Sequence, residues 1–498
     1  MAAAPSMPTS LSLLRKLTAV LLALLAITYA WFLREYTAPY AGGSDSSGYL
    51  NSAALLRAGR LTVPARTIEG HGPVEFGIYS HRPLGFAAQE GTNEMVPSYP
   101  LGLPLHLLAF SFLVGLDWAT IPLNICSAFA AGLLLYLLAR RLELPPPLAL
   151  AGAITLLLCP LFLFTALQPM SDLLALVWAM AALYTALRAK EDWRWALACG
   201  AAVAWAVLVR PSNLLVVFPV AVALGWSWRS YLWVGLGGLP GAFVLAAYNR
   251  HVYGSPFVTG YGSIWSAFSA DYFVHNAGFI IRWIPGLLSP VVLPALAAPF
   301  LPAARRREAA VLGLWAVLLI GFYSFYFHTG ETWWYLRFIL PAFPALILLA
   351  LLAVHALGFA QPARRALGFG LLALALAWEA TQAYRFDLIY NKSGEATYRD
   401  AGTFANANLP GNAAIFCMQV SGALYYYTNF LLVRWDQLKP EQMKPLLQAL
   451  QENHRPVYAV LYEFEEADAR QRIGGRWTKL SQVRNATVWK IDLTPATP

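Results

Sequence analysis

The sequence predicts a polytopic α-helical membrane protein with about 11 transmembrane helices and a small C-terminal soluble α/β domain. Of its 498 residues, 58% are hydrophobic and only 12% are charged, whereas soluble domains carry about 25% charged residues. Apolar runs long enough to cross a bilayer recur up to residue 385, and shorter strand-like runs follow them. We therefore expect a transmembrane domain at 1–385 and an extracytoplasmic α/β domain at 386–498.

The remaining composition narrows the class of protein. The net charge of +9 comes mostly from short basic clusters between apolar runs, which indicates cytoplasmic anchoring rather than nucleic-acid binding. The 4 Cys residues form no CxxC or Cys/His pattern, so neither a zinc site nor a disulfide framework is indicated. Walker, dinucleotide-binding, HExxH and GxSxG motifs are also missing from the sequence, so no nucleotide is expected as a partner.

The transmembrane helices are predicted from apolar runs of roughly 20 residues. The first run follows Arg15 and Lys16 and is longer than the core of a signal peptide, so we expect an uncleaved membrane helix. The predicted spans are 14–33, 119–139, 148–167, 171–188, 195–209, 212–227, 231–248, 284–302, 309–327, 337–355 and 366–384.

Orientation follows from the basic clusters, because cytoplasmic turns carry an excess of Lys and Arg. A cytoplasmic N-terminus places every double or triple cluster inside, provided that 98–116 is an interfacial helix and not a full span. Residues 34–118 then form one long outer loop, and the tail is also outside. The clusters are Arg15/Lys16, Arg140/Arg141, Arg188/Lys190/Arg194, Arg229, Arg305/Arg306/Arg307 and Arg364/Arg365.

The tail from 386 onward changes character. Residues 412–418, 456–462 and 486–492 have the composition of strands, and 439–454 has apolar residues at helical spacing. The pattern predicts a small α/β domain on the outer side of the membrane.

Asp45 lies in "GGSDSSGYLNSA", where the first membrane helix ends. One interpretation is a helix N-cap, since "SSGYLNSAALLRAG" favours a short helix that stops at Gly59. The other is a general base, because a partly solvated carboxylate at the membrane face can accept a proton from a hydroxyl group.

Asp172 lies in "QPMSDLLALVWAMAALY", at the outer start of a predicted span. A cap formed by Ser171 or Asp172 is again one interpretation. An acid this close to hydrocarbon is costly, however, and is therefore also a candidate for a functional residue.

Two arginines are candidates for binding an anionic headgroup. Arg210, in "LVRPSNLL", stands between two short predicted helices, so it should be an isolated cation in an indentation of the outer surface. Arg337, in "ETWWYLRFILPAFP", stands just inside the next outer helix end. Interface anchoring is the alternative for Arg210, and an aromatic belt explains the adjoining Trp pair.

Three further residues complete the candidate site. Tyr99, in "VPSYPLGLP", is expected to offer its hydroxyl to a phosphate or a sugar. His328 and Glu331, in "FHTGETWW", stand at the same predicted face as Arg337 and are candidates for substrate binding.

These motifs together resemble the GT-C class of membrane glycosyltransferases. "GGSDSSGYLNSA", "YPLGLPLHLLAF", "MSDLLALVWAMAALY", "VLVRPSNLL" and "WWYLRFILPAFPAL" occur in the family's order and spacing. The sequence is most similar to the bacterial branch of protein O-mannosyltransferases and the lipid A aminoarabinose transferase. The resemblance covers about residues 35–390.

The resemblance implies transfer of a sugar from a polyprenyl-phosphate donor at the outer membrane face. Asp45 maps onto the family's catalytic base, and Asp172 maps onto the acid that opens a later helix. Two positions differ from the family's pattern. Protein O-mannosyltransferases tend to have paired acids in the first loop, whereas here Asp45 is followed by Ser46. The aminoarabinose transferase has a Lys before a Pro pair, whereas here Tyr99 precedes a single Pro, so the sequence leaves the sugar and the acceptor open. We expect no cofactor, and because the first loop offers a single acid we expect no tightly held divalent metal.

The expected activity is an inverting transfer, in which Asp45 activates an acceptor hydroxyl while Arg210 and Arg337 hold the departing polyprenyl phosphate. The acceptor would be a lipid, a glycan or a protein, and the site would lie on the extracytoplasmic side of a bacterial inner membrane. One alternative is a transporter or lipid flippase, since such proteins also have many membrane helices and buried charges. Another is a non-catalytic envelope scaffold.

Overall fold

The computed structural model describes residues 9–72, 74–89, 92–262, 266–302, 305–356 and 362–493. Its α-helices are α1 (Thr9–Tyr36), α2 (Asp45–Arg57), α3 (Gly102–Val114), α4 (Thr120–Arg141), α5 (Pro146–Leu158), α6 (Pro160–Ala166), α7 (Ser171–Arg188), α8 (Trp193–Val209), α9 (Val217–Leu224), α10 (Trp228–Tyr253), α11 (Phe273–Leu287), α12 (Arg306–Ser324), α13 (Phe343–Ala356), α14 (Pro362–Arg385), α15 (Asn391–Asn408), α16 (Ser421–Tyr427), α17 (Pro440–Glu452) and α18 (Glu463–Ile473).

The strands and the longer 3₁₀ segments complete the fold. The strands are β1 (Val63–Pro64), β2 (Phe86–Ala88), β3 (Glu94–Pro97), β4 (Ala414–Cys417), β5 (Leu431–Arg434), β6 (Val457–Tyr462), β7 (Arg476–Val483) and β8 (Ala486–Asp492). The 3₁₀ segments are Pro211–Val216, Pro290–Phe300 and Trp333–Ala342.

The chain is an integral membrane protein with several spanning helices. Within the described residues, 6 helices are long and apolar enough to cross a bilayer, or up to 8 if each of two bent pairs is one span. They are Lys16–Tyr36, Leu116–Arg141, Ser171–Arg188, Trp228–Tyr253, Arg306–Ser324 and Trp333–Ala356. The polytopic helical class is therefore confirmed, whereas the count of about 11 is not.

Proline explains where the predicted spans fail. The predicted helix 284–302 is wrong as one continuous span, because α11 and the 3₁₀ segment Pro290–Phe300 meet at a bend of 115°. This segment contains three prolines, which cannot donate the helical hydrogen bond. The span 148–167 is likewise broken by 59° between α5 and α6, where Pro160 begins α6. Helix α3 has 13 residues, or about 20 Å, which is too short to cross a bilayer.

The basic clusters meet at one end of the helical bundle. Arg141, at the end of α4, pairs with Glu191 after α7 at 2.7 Å. Arg305, before α12, pairs with Glu143 after α4 at 2.8 Å. Arg307 donates to the Ala223 carbonyl at the end of α9 over 2.9 Å. The side chains of Arg15, Arg364 and Arg365 lie outside the part that the structure describes.

The C-terminal segment contains a five-stranded sheet in the order β5-β4-β6-β8-β7. Strand β4 pairs in parallel with β5 and β6, and β8 runs antiparallel to both β6 and β7. Alternate residues of β4 enter different cores: Ile415 packs with Ala401 of α15, and Phe416 packs with Leu446 of α17. Helices therefore cover both faces of the sheet, as the two-residue period of a strand allows.

The segment between α1 and α4 connects this sheet region to the membrane helices. Helix α2 packs against α3 and against α16 of the C-terminal segment. The Asn51 amide of α2 donates to the Gly422 carbonyl of α16 over 3.0 Å. The N-terminus of α2, where Asp45 lies, is thus held between the ends of the membrane helices and the C-terminal segment.

Candidate active site

Asp45 forms an ion pair with Arg337 at the end of the helical bundle where α2 begins. The Arg337 Nη2 group donates to Asp45 Oδ2, and Arg337 Nη1 also points at the Met170 sulfur at 3.0 Å. The Asp45 side chain is 26% exposed, whereas that of Arg337 is 9% exposed. Asp45 is thus the accessible member of a pair whose cation is almost buried.

Asp172 forms the second ion pair, with Arg210. Arg210 Nη1 lies 2.5 Å from Asp172 Oδ1, and the Asp172 side chain is only 1% exposed. The prediction that Arg210 is an isolated cation is therefore wrong, since an acid of α7 balances its charge. Burial of both charges is costly, and close pairing offsets this cost.

The two ion pairs belong to one site. The guanidinium groups of Arg210 and Arg337 lie 5.3 Å and 5.2 Å from the centre of the Phe338 ring. The Tyr49 hydroxyl of α2 bonds to the Ser171 hydroxyl of α7 over 2.8 Å. The structure therefore brings Asp45, Asp172, Arg210 and Arg337 together, although they are far apart in the sequence.

Tyr99 joins this site through its hydroxyl group, which lies 2.7 Å from Oγ of Ser44, the residue before Asp45. A β-carbon on Gly48 would lie 2.4 Å from the Tyr99 ring, so glycine is required at this position for the ring to pack against α2. Burial and the neighbouring Asp45 charge hold the pKa of Tyr99 well above its usual value. Tyr99 therefore remains a hydrogen-bond donor at neutral pH.

The charge state of Asp45 results from opposing effects. Burial raises the pKa of the Asp45 carboxyl, but Arg337, the Tyr99 hydroxyl and Arg210 together lower it below its usual value. Asp45 is therefore ionised at neutral pH, and its basicity is weakened while Arg337 remains paired with it.

Neither acid acts as a helix cap. Asp45 is the first residue of α2 and Asp172 is the second residue of α7, yet neither N-terminus has a side-chain capping bond. Both carboxylates point at arginines instead. The capping interpretation of Asp45 and Asp172 is therefore wrong, and Ser171 bonds to Tyr49.

His328 and Glu331 stand beside this site and pair with each other. His328 Nδ1 lies 2.8 Å from Glu331 Oε1, and both side chains are partly exposed to solvent. His328 stacks on the Tyr335 ring, with 4.9 Å between the ring centres. Neither residue contacts Asp45 or Asp172, so the structure does not bring them into the charged centre.

Several aromatic residues of the site were not predicted. The Tyr49 ring lies 4.9 Å from the Tyr99 ring, which in turn lies 6.0 Å from Tyr261. Tyr323 bonds to the Ser212 hydroxyl over 2.7 Å, close to Arg210. Tyr49 stands four residues after Asp45, and this helical spacing could have indicated a shared face.

Glu395 of α15 lies against the loop that leads to Asp45. A β-carbon on Gly42 would lie 1.7 Å from Glu395 Oε2, and Tyr398 and Gln419 pack beside Gly43. Burial raises the pKa of Glu395 to about 7. Its carboxyl is therefore mostly neutral below pH 7 when it touches the glycine loop.

Glu395→Gln is expected to remove a pH dependence of stability. The pKa is raised in the folded protein, so the unfolded chain ionises first, and stability is lost as pH rises from about 4.5 to about 7. At pH 8 the variant should be more stable by at most about 3 kcal/mol, and at pH 4.5 the two should be equal. Thermal unfolding in detergent at both pH values measures this, and an equal difference at both would contradict the assignment.

The described residues contain no group of three or more His, Cys, Asp or Glu side chains that could hold a metal ion. The expectation that the protein needs neither a metal nor another cofactor stays a prediction.

A protein-family model matches part of the sequence. The family is described as dolichyl-phosphate-mannose-protein mannosyltransferase, and the match covers residues 103–248. This stretch includes Asp172 and Arg210 but not Asp45 or Arg337. A search of curated proteins found no significant match.

The fold is similar to those of solved glycosyltransferases. ArnT from Cupriavidus metallidurans, bound to undecaprenyl phosphate, matches with a TM-score of 0.60 and 16% identity over 96% of this chain and 99% of that one. Arabinofuranosyltransferase AftD from Mycobacteria matches with a TM-score of 0.56 and 13% identity over 95% of this chain and 40% of that one. The Archaeoglobus fulgidus oligosaccharyltransferase gives 0.50 and 13%, over 89% and 70%.

The resemblance seen in the sequence motifs is thus confirmed. The mannosyltransferase model and the ArnT fold both point to the GT-C class, and to the branch indicated by the motifs. At these identities the structural matches establish the fold, and the residues of the site must carry the argument for the reaction.

Proposed function

We propose that the protein is an inverting glycosyltransferase, which moves a sugar from a polyprenyl-phosphate donor to a hydroxyl group of a lipid, glycan or protein at the outer membrane face. The observation that carries this proposal is the pairing of two acids with two nearly buried arginines at the mouth of the spanning helices. Such a site offers a base for the acceptor and cations for a phosphate.

The donor phosphate is proposed to bind Arg337 and Arg210. Arg337 Nε is buried without a hydrogen-bond partner among the described residues, so the guanidinium still has a donor to offer. Planar guanidinium groups bind phosphate oxygens in a bidentate manner. In two solved neighbours, ArnT and the A. fulgidus oligosaccharyltransferase AglB, the ligands named are undecaprenyl phosphate and dolichol-phosphate.

Phosphate binding is proposed to activate Asp45. When Arg337 turns from the Asp45 carboxylate to the phosphate, the main interaction that lowers the pKa of Asp45 weakens. The carboxylate then becomes a stronger base in the complex with donor than in the free protein. The Tyr99 hydroxyl keeps its bond to Ser44 and helps to position the neighbouring Asp45.

The transfer is a single displacement. The acceptor oxygen bonds to the anomeric carbon while its proton passes to Asp45, and the bond from that carbon to the phosphate oxygen breaks. The electron pair leaves with the polyprenyl phosphate, whose added charge the two arginines stabilise. No acid is needed for departure, because the leaving group is a stable anion.

The arrangement in the membrane belongs to the same proposal. A transmembrane catalytic domain at 1–385 holds the charged site, and an α/β domain at 386–498 covers the first loop on the extracytoplasmic side of a bacterial inner membrane. The basic clusters at the opposite end of the bundle support this orientation. The pairing of acids with arginines at one face favours a transferase over a transporter, whose binding sites lie near the midplane.

Arg337→Ala is expected to weaken binding of polyprenyl phosphate by about 10–150-fold, since it removes a charge-assisted hydrogen bond worth about 1.5–3 kcal/mol. Arg337→Lys should rescue binding only in part, because the planar fork is lost. Arg210→Ala should also weaken binding, although it leaves Asp172 buried and unpaired. Mass spectrometry of lipid bound to the purified protein measures both the lipid's identity and its occupancy.

A matched control for this experiment is Arg57→Ala. Arg57 is exposed at the far end of α2, the helix that begins at Asp45, so this variant loses the same positive charge outside the site. Absence of any polyprenyl lipid from the wild-type protein, or equal occupancy in the Arg337 and Arg57 variants, would contradict the proposed phosphate site.

A further inference from the structure

A cavity with basic and polar side chains among its lining residues opens at the other end of the bundle. Its volume is about 750 Å³, and Lys190, Arg307, Trp226, Ser227 and Tyr231 contribute to its lining. Helix α7 connects the two sites, because Asp172 stands in its first turn and Lys190 follows its last. With 18 residues, α7 separates them by about 27 Å. The cavity thus faces the membrane leaflet opposite the candidate active site.

The charges at this cavity are unbalanced. The neighbouring acid, Glu191, is already bound by Arg141 at 2.7 Å and by Arg188 at 2.9 Å. In the described parts of the chain, neither Lys190 nor Arg307 has a carboxylate within 4.0 Å. Arg307 directs Nη2 to the carbonyls that end α9, at 2.9 Å from Ala223. The cavity therefore presents two cations to a ligand without an acid of its own.

The start of α10 adds to this positive character. Ser227 is its N-cap and accepts a hydrogen bond from the Ser230 N–H, whereas the N–H groups of Trp228 and Arg229 precede any acceptor within the helix. These groups and the aligned peptide dipoles favour an anion at the helix start. Together with the Lys190 amine and the Arg307 guanidinium, these N–H groups offer positive charge and hydrogen bonds to a phosphate. The three groups come from separate elements of the fold.

The surroundings of the cavity are those of a bilayer interface. Trp226 is fully exposed and Trp228 is 70% exposed, and such residues sit at headgroup level in membrane proteins. Val222 lines the cavity and is exposed, and Leu232 and Leu236 continue an exposed apolar surface along α10. A polar end that leads into an apolar surface matches the shape of a lipid, not that of a free anion.

We propose that this cavity binds the phosphate headgroup of an anionic glycerophospholipid from the leaflet opposite the active site. Basic pockets between membrane helices bind such headgroups. Lys190 and Arg307 hold the phosphate, Ser227 and the α10 N-terminus donate hydrogen bonds, and the acyl chains follow α10 past Leu232. This inference does not depend on the proposed transfer reaction.

Native mass spectrometry of the full chain in detergent tests this, with dioleoylphosphatidylglycerol and dioleoylphosphatidylcholine as probes. The wild-type protein should bind the anionic lipid at least about fivefold more tightly. Lys190→Gln should lower this affinity about fivefold and should lower that for phosphatidylcholine less, because the choline cation already offsets the charge of its phosphate. Arg307→Gln should have a similar effect, and because Lys190 is exposed, its variant keeps the test valid if Arg307→Gln unfolds.

Arg306→Gln is the matched control, because Arg306 is exposed beside Arg307 but does not line the cavity. It should keep the wild-type affinity for phosphatidylglycerol. Equal losses in the Lys190 and Arg306 variants would mean diffuse attraction and would overturn the site. An unchanged affinity in Lys190→Gln would also overturn it, as would full displacement of the lipid by excess inorganic phosphate.

Discussion

Asp45→Asn is expected to lower the rate of sugar transfer by about 10²–10⁴-fold, because an amide cannot accept the acceptor's proton at neutral pH. Binding of polyprenyl phosphate should be retained or become tighter, since Arg337 is released from its ion pair with Asp45. The two effects together separate a catalytic base from a residue that only binds the donor. A reconstituted transfer assay and a lipid-binding measurement on the same preparation record them.

Asp117→Asn is the matched control for Asp45→Asn. Asp117 belongs to the same segment between α1 and α4, and its carboxylate accepts a hydrogen bond from Tyr426 over 2.8 Å, away from the charged centre. It should transfer sugar at nearly the wild-type rate. If Asp45→Asn also transfers at that rate, Asp45 is not the base.

Asp172→Ala is expected to destabilise the folded protein by about 3–5 kcal/mol, because it leaves the nearly buried Arg210 guanidinium without its partner. Replacement of both members, by Asp172→Leu and Arg210→Met together, should recover most of this loss, since buried pairs exchange for apolar groups at little cost. Thermal unfolding in detergent measures both variants.

The double variant also separates stability from function. It should fold but transfer no sugar, because the cation for the phosphate is gone. A double variant as unstable as Asp172→Ala would show that the pair is not the reason for the loss. A stable double variant with normal transfer would remove Asp172 and Arg210 from the site.

The sequence predicted those parts of the fold that depend on local composition. Long apolar runs without proline, such as 171–188, became single helices with nearly the predicted bounds. The same reasoning failed at 284–302, because hydropathy alone does not register that several prolines remove backbone donors. Strand β7 was not predicted, since its residues are mostly exposed and polar, and its pairing with β8 is long-range information.

The candidate site was predicted as a set of residues but not as a set of contacts. Asp45 and Arg337 are 292 residues apart, and nothing in either motif indicates that they pair. Arg210 was expected to be isolated, because its acid belongs to another helix, 38 residues earlier. Glu395 was not predicted as part of this region for the same reason, because its contact depends on the packing of α15 against the Gly42 loop.

The central claim is that the site breaks the bond between a sugar and polyprenyl phosphate. The most direct test is product analysis with the purified protein, a polyprenyl-phosphate sugar and a hydroxyl acceptor in liposomes. We predict one polyprenyl phosphate released for each sugar transferred and inversion at the anomeric carbon, observed by NMR, with neither product formed by Asp45→Asn. A donor that stays intact, or that only changes leaflet, would contradict the account.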